Sequence, residues 1–572
     1  KDNGLEPEDS EFRVNGRAYP TREYVVQYRE SDLAFISRLL EHEGIFFHFE
    51  HNEKRSVVVF GDQPEACTKV AGAAEFIYRT QVGGTRADEA PVEESVHEMT
   101  ILYRPVTGQV VLGDYNYRTP DAPMYPTAEV ASAAAFGHQY EYGDHFKDED
   151  EGKALAGVRS EEIVCRKRQY RGLSDARGFR AGGVFTLKEH YRGDVNMDHL
   201  ITEVKHQGSQ GFATAEEDDH PTALYHNDFV TIPASVVFRP KRSTPKPVIV
   251  GTITAMVDAA GDGKYAELDD QGRYKLKFPF DRSEEKDGKA SRFVRMAQPY
   301  AGDDMGMHFP LHKGTEVIVT HINGDPDRPL IAAAVPNPQT GSKVTSSNQS
   351  QSMIHSGGGN SITMEDTKGA EGFNLNATYG YSLTVGNDAS VSVGNNETHS
   401  VTADRTVTVK GNDSETVNGN VTQQVDGNVD GKISGNRTVA VSGDAGETVS
   451  GSRSAKVTGS DSTTVTGELG LTADGKIGIK SSASVVVGAP EISITGDGKV
   501  VIKVGGSSIT IDAAGISIDA PKITITGGAA VEISAAAIKA AASAAMEVGG
   551  ATVDVKASGP ISLLGAMVKN NA

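Results

Sequence analysis

This sequence contains no tryptophan and only two cysteines, Cys67 and Cys165, among its 572 residues. Two thiols cannot make a disulfide framework, and without a C-x-x-C pair there is no zinc or redox signature. That usage fits a chain folded in a reducing cytoplasm. No apolar stretch approaches the roughly 18 residues a bilayer-spanning helix needs. Basic residues are outnumbered, 56 Lys and Arg against 77 Asp and Glu, for a net charge of -21. So acidic a surface repels phosphate backbones and anionic lipid, which makes nucleic acid and membrane surfaces poor partners. Enzyme signatures are missing as well: no G-x-S-x-G elbow, H-E-x-x-H pair or P-loop occurs. No leader pattern opens the chain, which starts at Lys1 in the run KDNGLEPEDSEF, so its native start is expected upstream.

What is abundant is glycine, 63 residues of it, which points to turns, strands and repeats. The length calls for at least three structural units. Near the N-terminus, Tyr24 to Tyr28 alternates like a strand. Ser31 is placed to cap a helix with an apolar stripe of Leu33, Ile36, Leu39 and Leu40, and Gly44 to stop it. Ile45 to Phe49 and Val57 to Phe60 read as two more strands. His42, His48 and His51 straddle a helix end and a strand, so solvated or capping roles are expected rather than a metal. From Val92 to Pro240 short strands alternate with turns, among them Met99 to Tyr103, Val184 to Glu189 and Leu200 to Val204. Within Ala128 to Val164 the run DHFKDEDEGKALAGVRSEEIV is expected on a surface helix, its carboxylates solvated rather than paired across a cleft. Glu93–Glu94 and Glu217 to His220 read as solvated turns.

Prolines in Thr244 to Val250 mark a boundary. Beyond it, Gly251 to Val257, Arg273 to Phe278, Phe293 to Ala297, Glu316 to His321 and Leu330 to Ala334 make five short strands, suited to a Greek-key barrel of the OB type. Its loops are acidic, which speaks against an oligonucleotide groove. Pro336 to Gly359 reads as a polar linker. Its triple glycine lacks the Lys-Ser/Thr and the strand-to-helix context of a phosphate cradle.

From Val385 the chain repeats every eight residues. Val385, Val393, Val401, Val409, Val417, Val425, Ile433, Val441, Val449, Val457 and Val465 hold one phase, and glycine holds another from Gly411 to Gly467. A disordered Gly/Ser/Thr/Asn tract has no reason to keep a β-branched residue in phase. Each octad is a short strand plus a corner, with Val or Ile inward and Gly-Asn or Gly-Asp taking the sharp turn. One octad is too short to close a solenoid coil, which generally needs nearer 20 residues. Three chains contributing one octad each would complete a triangular turn and satisfy one another's backbone groups. Past Gly470 the octad relaxes into apolar pairs such as Ile492/Ile494, Val500/Ile502, Ile509/Ile511 and Ile523/Ile525. About 21 octads at about 4.8 Å per strand spacing predict a needle of roughly 100 Å.

Several stretches now become familiar. REYVVQYRESDLAFISRLLEHEGIFFHFE resembles a hub signature. AGGVFTLKEHYRGDVNMDHLITEVKHQG and YHNDFVTIPASVVFRP resemble a second hub barrel. GRYKLKFPFDRSE, RFVRMAQPYAGDDMG and NGDPDRPLIAAAVPNP resemble an OB domain. In this order, followed by the needle, they resemble the VgrG family, the spikes of type VI secretion, themselves similar to contractile phage hubs and needles. The chain departs from the family where Phe293 and Tyr300 stand for the usual tryptophans, and in MGMHFPLHKGTEV.

The resemblance implies a mainly β fold and the following divisions: a partial α+β hub domain at 1–91, a second hub barrel at 92–243, an OB-fold domain at 244–336, a connector at 337–382, a triple-stranded β-helix needle formed by a homotrimer at 383–556, and a tip at 557–572. It implies a first hub barrel before Lys1, and docking of the trimeric hub on a hexameric Hcp-like tube protein. It also implies a needle that breaches the target envelope by mechanical puncture. With no His or Cys after His399, the chain cannot build the histidine-held metal of some phage tips. A PAAR-type cap with effectors is therefore expected on Leu564, Met567 and Val568. The expected protein is non-enzymatic, with no catalytic residue, metal or cofactor, assembled in the cytoplasm and translocated by contraction. The alternatives are a hub-spike of a contractile phage or phage-like tail, a spike with lysozyme-type activity, and an adhesive surface fibre, which leaves the hub and OB motifs unexplained.

Overall fold

The computed structural model of the chain describes residues 4, 6–80, 93–130, 136–209, 224–565 and 567. It divides into two units, Lys1–Ser400 and Val401–Ala572. In the first, strand β1 (Ser10–Arg13) precedes helix α1 (Asp32–Glu43) and strands β2 (Phe46–His51) and β3 (Ser56–Gly61). Ser31 caps α1 by accepting the amide hydrogen of Ala34 at 3.2 Å, and Gly44 closes it in the left-handed region at φ 74°. The expected apolar stripe does not all face inward. Leu33 and Ile36 are exposed, and the buried residue is Arg38. Its guanidinium meets the Glu30 carboxylate at 2.8 Å and the Val26 carbonyl at 3.0 Å, so the charge enters the interior already paired.

Next come β4 (Thr68–Lys69), β5 (Glu75–Tyr78), β6 (Ser95–Tyr103), β7 (Gln109–Gly113), β8 (Thr127–Glu129), β9 (His138–Tyr142), α2 (Glu149–Val164), β10 (Arg168–Ser174), β11 (Gly183–Lys188), β12 (Asp198–Ser209) and β13 (Leu224–Pro233). The sheet order β12-β13-β10-β6-β5-β11 closes through a β11–β12 pairing, with β4 beside β5 on the other edge of β11. This barrel is filled by Phe76, Val96, Tyr170, Phe179, Phe185, Leu187, Ile201 and Phe229. The division expected at 91/92 runs through it, because β4 and β5 pair with β11 far downstream. α2 packs Leu155 and Ala156 against Val110 and Leu112 of the β8-β7-β9 sheet and against Phe146, in the segment between β9 and α2. It is thus half-buried, not a solvated surface helix: Glu149 is exposed, but Glu161 and Glu162 bond Arg239 and Arg242.

The second barrel comprises β14 (Ile253–Asp258), β15 (Lys275–Lys277), the small hairpin β16 (Ala301–Gly302) and β17 (Met305–Gly306), β18 (Glu316–His321) and β19 (Pro329–Ala334). The four-stranded order is β15-β14-β18-β19. The fifth expected strand is present only as bridges, yet these close the barrel: Val294 exchanges amide hydrogen bonds with Tyr274 at 2.7 and 2.9 Å, and Ala297 donates to Ile331 at 2.7 Å. Tyr274, Leu276, Val294, Val317, Val319 and Ile331 fill the core.

The expected linker is in fact folded. β20 (Gln351–His355), β21 (Ser361–Glu365) and β22 (Gly372–Asn376) form an antiparallel meander, and the triple glycine is its first turn, with Gly359 at φ 90°. Polar composition hid a register that aligns Ile354, Ile362 and Leu375 on one face.

In the second unit the only strands among the described residues are β23 (Lys499–Val504), β24 (Ser507–Asp512) and β25 (Gly515–Asp519), again an antiparallel meander. These residues were expected to continue the needle at one strand spacing per octad. They pair within one chain instead, because Gly505 (φ 54°) and Gly515 (φ 130°) turn the chain back on itself.

Candidate functional site

Three elements of the hub converge on one loop of the OB barrel, residues 322–328 between β18 and β19. Asp327 accepts the amide hydrogen of Val26 at 2.7 Å. Arg328 reaches Asp114 at 3.0 Å and the Tyr115 carbonyl at 3.2 Å. Asp325 takes the ammonium of Lys246, from the segment joining hub to barrel, at 2.6 Å, and lies 3.5 Å from His145. Two more barrel arginines grip the same hub loop: Arg295 lies 3.8 Å over the ring of Tyr117, and Arg273 bonds its hydroxyl.

The electrostatics of this joint are divided. Burial works against ionisation of Asp325, but Lys246 outweighs it and holds that carboxyl below its ordinary range. Burial and the neighbouring Asp325 push Asp327 up. Burial keeps the His145 imidazole neutral despite Asp325, with Lys246 and Arg328 acting in the same direction as burial. Donor atoms of His145, Asp325 and Asp327 lie within 4.8 Å of one another, a spacing open to a cation. The Lys246 ammonium already supplies the positive charge there. The cluster reads as a clamp between domains.

A second ionic cluster ties α1 to the rest of the hub. Glu43 binds Arg22 at 2.5 Å and also Arg17, while His42 and Arg159 converge on Asp144 at 3.4 and 3.1 Å. Burial opposes ionisation of Glu43, yet His42 and Arg22 hold its carboxyl at about 2. Burial disfavours the His42 cation, but hydrogen bonds to Asp144 and Glu43 raise it above the ordinary imidazole range. His42 is therefore neither solvated nor a cap. His48 is also buried, against Phe46, and only His51, bonded to Ser56, meets the expectation of a solvated role. Glu93 and Glu94 are exposed, and Glu217 to His220 lie outside the described residues. Burial raises both thiols, Cys67 to about 12, which opposes thiolate formation.

In the octad region, no backbone hydrogen bond joins two residues between 377 and 498 within the chain. The eleven Val and Ile of the repeat phase are 44–58% exposed, while the other Val and Leu residues between 383 and 469 are 59–81% exposed. At the tip Leu564 and Met567 are exposed, and Val568 lies outside the described residues.

Three family models match the chain in the order hub, barrel, needle. Residues 3–212 match the phage tail baseplate hub (GPD), and residues 264–335 match the type VI secretion system/phage-baseplate injector OB domain. Residues 346–457 match the bacteriophage T4 gp5 C-terminal trimerisation domain. The type VI secretion system spike protein VgrG5 of Pseudomonas aeruginosa is 32% identical over 387 residues, 64% of this chain and 48% of its own length. Over its hub and OB barrel the chain is similar to the VgrG spike proteins. Its fold is mainly β: a hub barrel and an OB barrel, followed by residues that match a trimerisation domain of a phage needle.

The match thus spans about half the length of that VgrG relative. The actin cross-linking toxin VgrG1 of Vibrio cholerae is 30% identical over 62% of this chain and 32% of its own length. Among solved structures, the E. coli c3393 protein, described as a component of the type VI secretion system, is 23% identical, with a TM-score of 0.37 over 58% of this chain and 68% of its own.

The clamp residues Asp325, Asp327 and Arg328 sit in the quoted run NGDPDRPL, but sequence reasoning assigned them no role. Their partners Val26, Asp114 and His145 are far away in sequence. The available signal was charge density: three ionisable groups within four residues of a short barrel turn.

Proposed function

We propose that three copies of this chain form the non-enzymatic spike at the end of a type VI secretion tube. The observation that carries this reading is the uncovered aliphatic register of the octads, in segments that find no backbone hydrogen-bond partner in their own chain. Extended strands with open backbone groups and an apolar face are stable only when neighbours supply the missing ladder. The lower exposure of Val385 to Val465 in phase supports their assignment to the needle core. The match of residues 346–457 to a trimerisation domain supports three as the number of neighbours.

In this reading the hub docks on a hexameric, Hcp-like tube. The tip, through Leu564, Met567 and Val568, takes a PAAR-type cap with its effectors. Assembly occurs in the cytoplasm, and contraction carries the spike into the target cell, whose membrane it meets only mechanically. A non-enzymatic role is supported by how the candidate groups are used: the hub carboxylates are held by arginines, and the thiols are buried toward their neutral forms. Mixing the purified protein with hexameric tube rings tests the proposal. One ring bound per spike is the expected result, and spikes that ignore the rings would overturn it. A muramidase assay on the same sample is expected to show no activity.

A further inference from the structure

The meander β23–β25 has two dissimilar faces. The register places Val500, Ile502, Ile509, Ile511, Ile516 and Ile518 together on one side, with Lys499, Lys503, Ser508, Thr510, Asp512 and Asp519 on the other, where Val501 is the one large aliphatic residue. The aliphatic side is uncovered in the single chain: Ile509 is 37% exposed, Ile511 42% and Ile516 69%. An isolated three-stranded sheet with one bare apolar face is marginal in water, and so continuous a patch implies a cover.

We propose that this face is covered by the same face of two further copies, so that three meanders close into a three-sided prism with the aliphatic sides inward. This rests on the trimeric reading above and extends it to a segment outside the matched trimerisation domain. Two observations identify the occupant. First, the same design occurs within the matched residues: β20–β22 is also a three-stranded antiparallel meander, with Ile354, Ile362, Met364, Phe373 and Leu375 on one face. Second, the segment is continuous with the apolar pairs Ile492/Ile494 before it and Ile523/Ile525 after it, which likewise lack in-chain partners. The chains that cover those pairs are the ones at hand to cover the meander.

The prism differs physically from the octads around it. In the octad region the backbone ladder must run between chains, whereas β23–β25 satisfy their ladder within one chain and leave only side chains to cross. Near-identical octads admit pairings slipped by eight residues. A meander that occurs once beyond the octads meets its counterparts in a single register, so this level also sets the alignment of the three chains.

Cysteine placement in the full chain tests the prism. Ile509→Cys puts thiols on the inward face at one level, and Thr510→Cys puts them on the outward face of the same strand. Diamide oxidation, with the unsubstituted chain as control for Cys67 and Cys165, is read on non-reducing gels beside light scattering of the same sample. The expected result is a trimer in both variants, with disulfide-linked dimers at least tenfold more abundant for Ile509→Cys. A trimer in which Thr510→Cys cross-links as well, or in which Ile509→Cys does not, would overturn the prism and leave the trimeric spike standing. A monomer in both variants and in the parent would overturn the two together. Ile518→Cys, on the neighbouring strand, repeats the inward test at a second position should Ile509→Cys fail to assemble.

Discussion

Val26 and Asp327 lie 301 positions apart in the chain, and the amide hydrogen of one is held by the carboxylate of the other at 2.7 Å. This bond, the adjoining Arg328–Asp114 pair and the Lys246–Asp325 pair attach the hub to the OB barrel through buried or half-buried groups. A joint of paired charges resists displacement because separating any pair leaves a desolvated charge alone.

Asp327 separates two effects. Asp327→Ala leaves the buried Val26 amide without an acceptor, at a cost of about 1–3 kcal/mol, and calorimetry of the full chain should show a lower hub melting temperature. Asp327→Asn keeps an acceptor and removes a carboxylate whose ionisation burial and Asp325 disfavour. A group with a raised folded pKa favours the fold below its unfolded pKa and loses that favour as pH rises. The Asn variant should therefore match or exceed the parent at pH 7.

Gly44 is expected to be intolerant. Its φ of 74° suits glycine, and an added Cβ would lie 2.5 Å from Val158 Cγ1 and 2.9 Å from Arg239 Cδ. Gly44→Ala should destabilise the hub by about 2–4 kcal/mol in denaturant titration, combining left-handed strain with overpacking against α2.

The Glu43 cluster predicts a defined pH response. With its carboxyl held at about 2, Glu43 stabilises the fold above its unfolded pKa of about 4.3, and this is lost as pH falls toward 2. His42, raised, stabilises the fold below about 6.5 and loses that contribution as pH climbs through its folded value. Hub stability should therefore peak between these limits. Glu43→Gln should flatten the acid limb by up to about 3 kcal/mol, read from melting temperature against pH.

The needle offers the sharpest contrast between neighbouring sites. Ile433→Asp would place three carboxylates at one level of a narrow apolar interior, where repulsion and desolvation add. Loss of the detergent-resistant trimer on unheated gels is expected, while Asn436→Ser, at a corner, should leave the band unchanged. Equal tolerance would contradict the inward phase.

Local and periodic features were legible in the sequence. Ser31 and Gly44 bound α1 because capping is decided within a few residues. The octad was visible in the sequence because Val or Ile holds one phase through eleven repeats, and its inward placement remains part of the proposal. The meanders at 351–376 and 499–519 were misread, the first because its polar turns outweigh its short strands. The second was misread because apolar pairs eight or nine residues apart look alike whether the chain advances or doubles back. The clamp was hidden for a different reason: a charge in a turn reads as solvated until the fold brings Val26, Asp114 and Lys246 against it.

The central claim is that this chain completes its needle only with two copies of itself, and the mass of the purified full chain in solution tests it most directly. Three times 60.6 kDa is about 182 kDa, and sedimentation equilibrium or native mass spectrometry at micromolar concentration should find that species, persisting on dilution. A stable species at 60.6 kDa with the octad region protected from proteolysis would contradict the account, because the strands would then have found their partners within one chain.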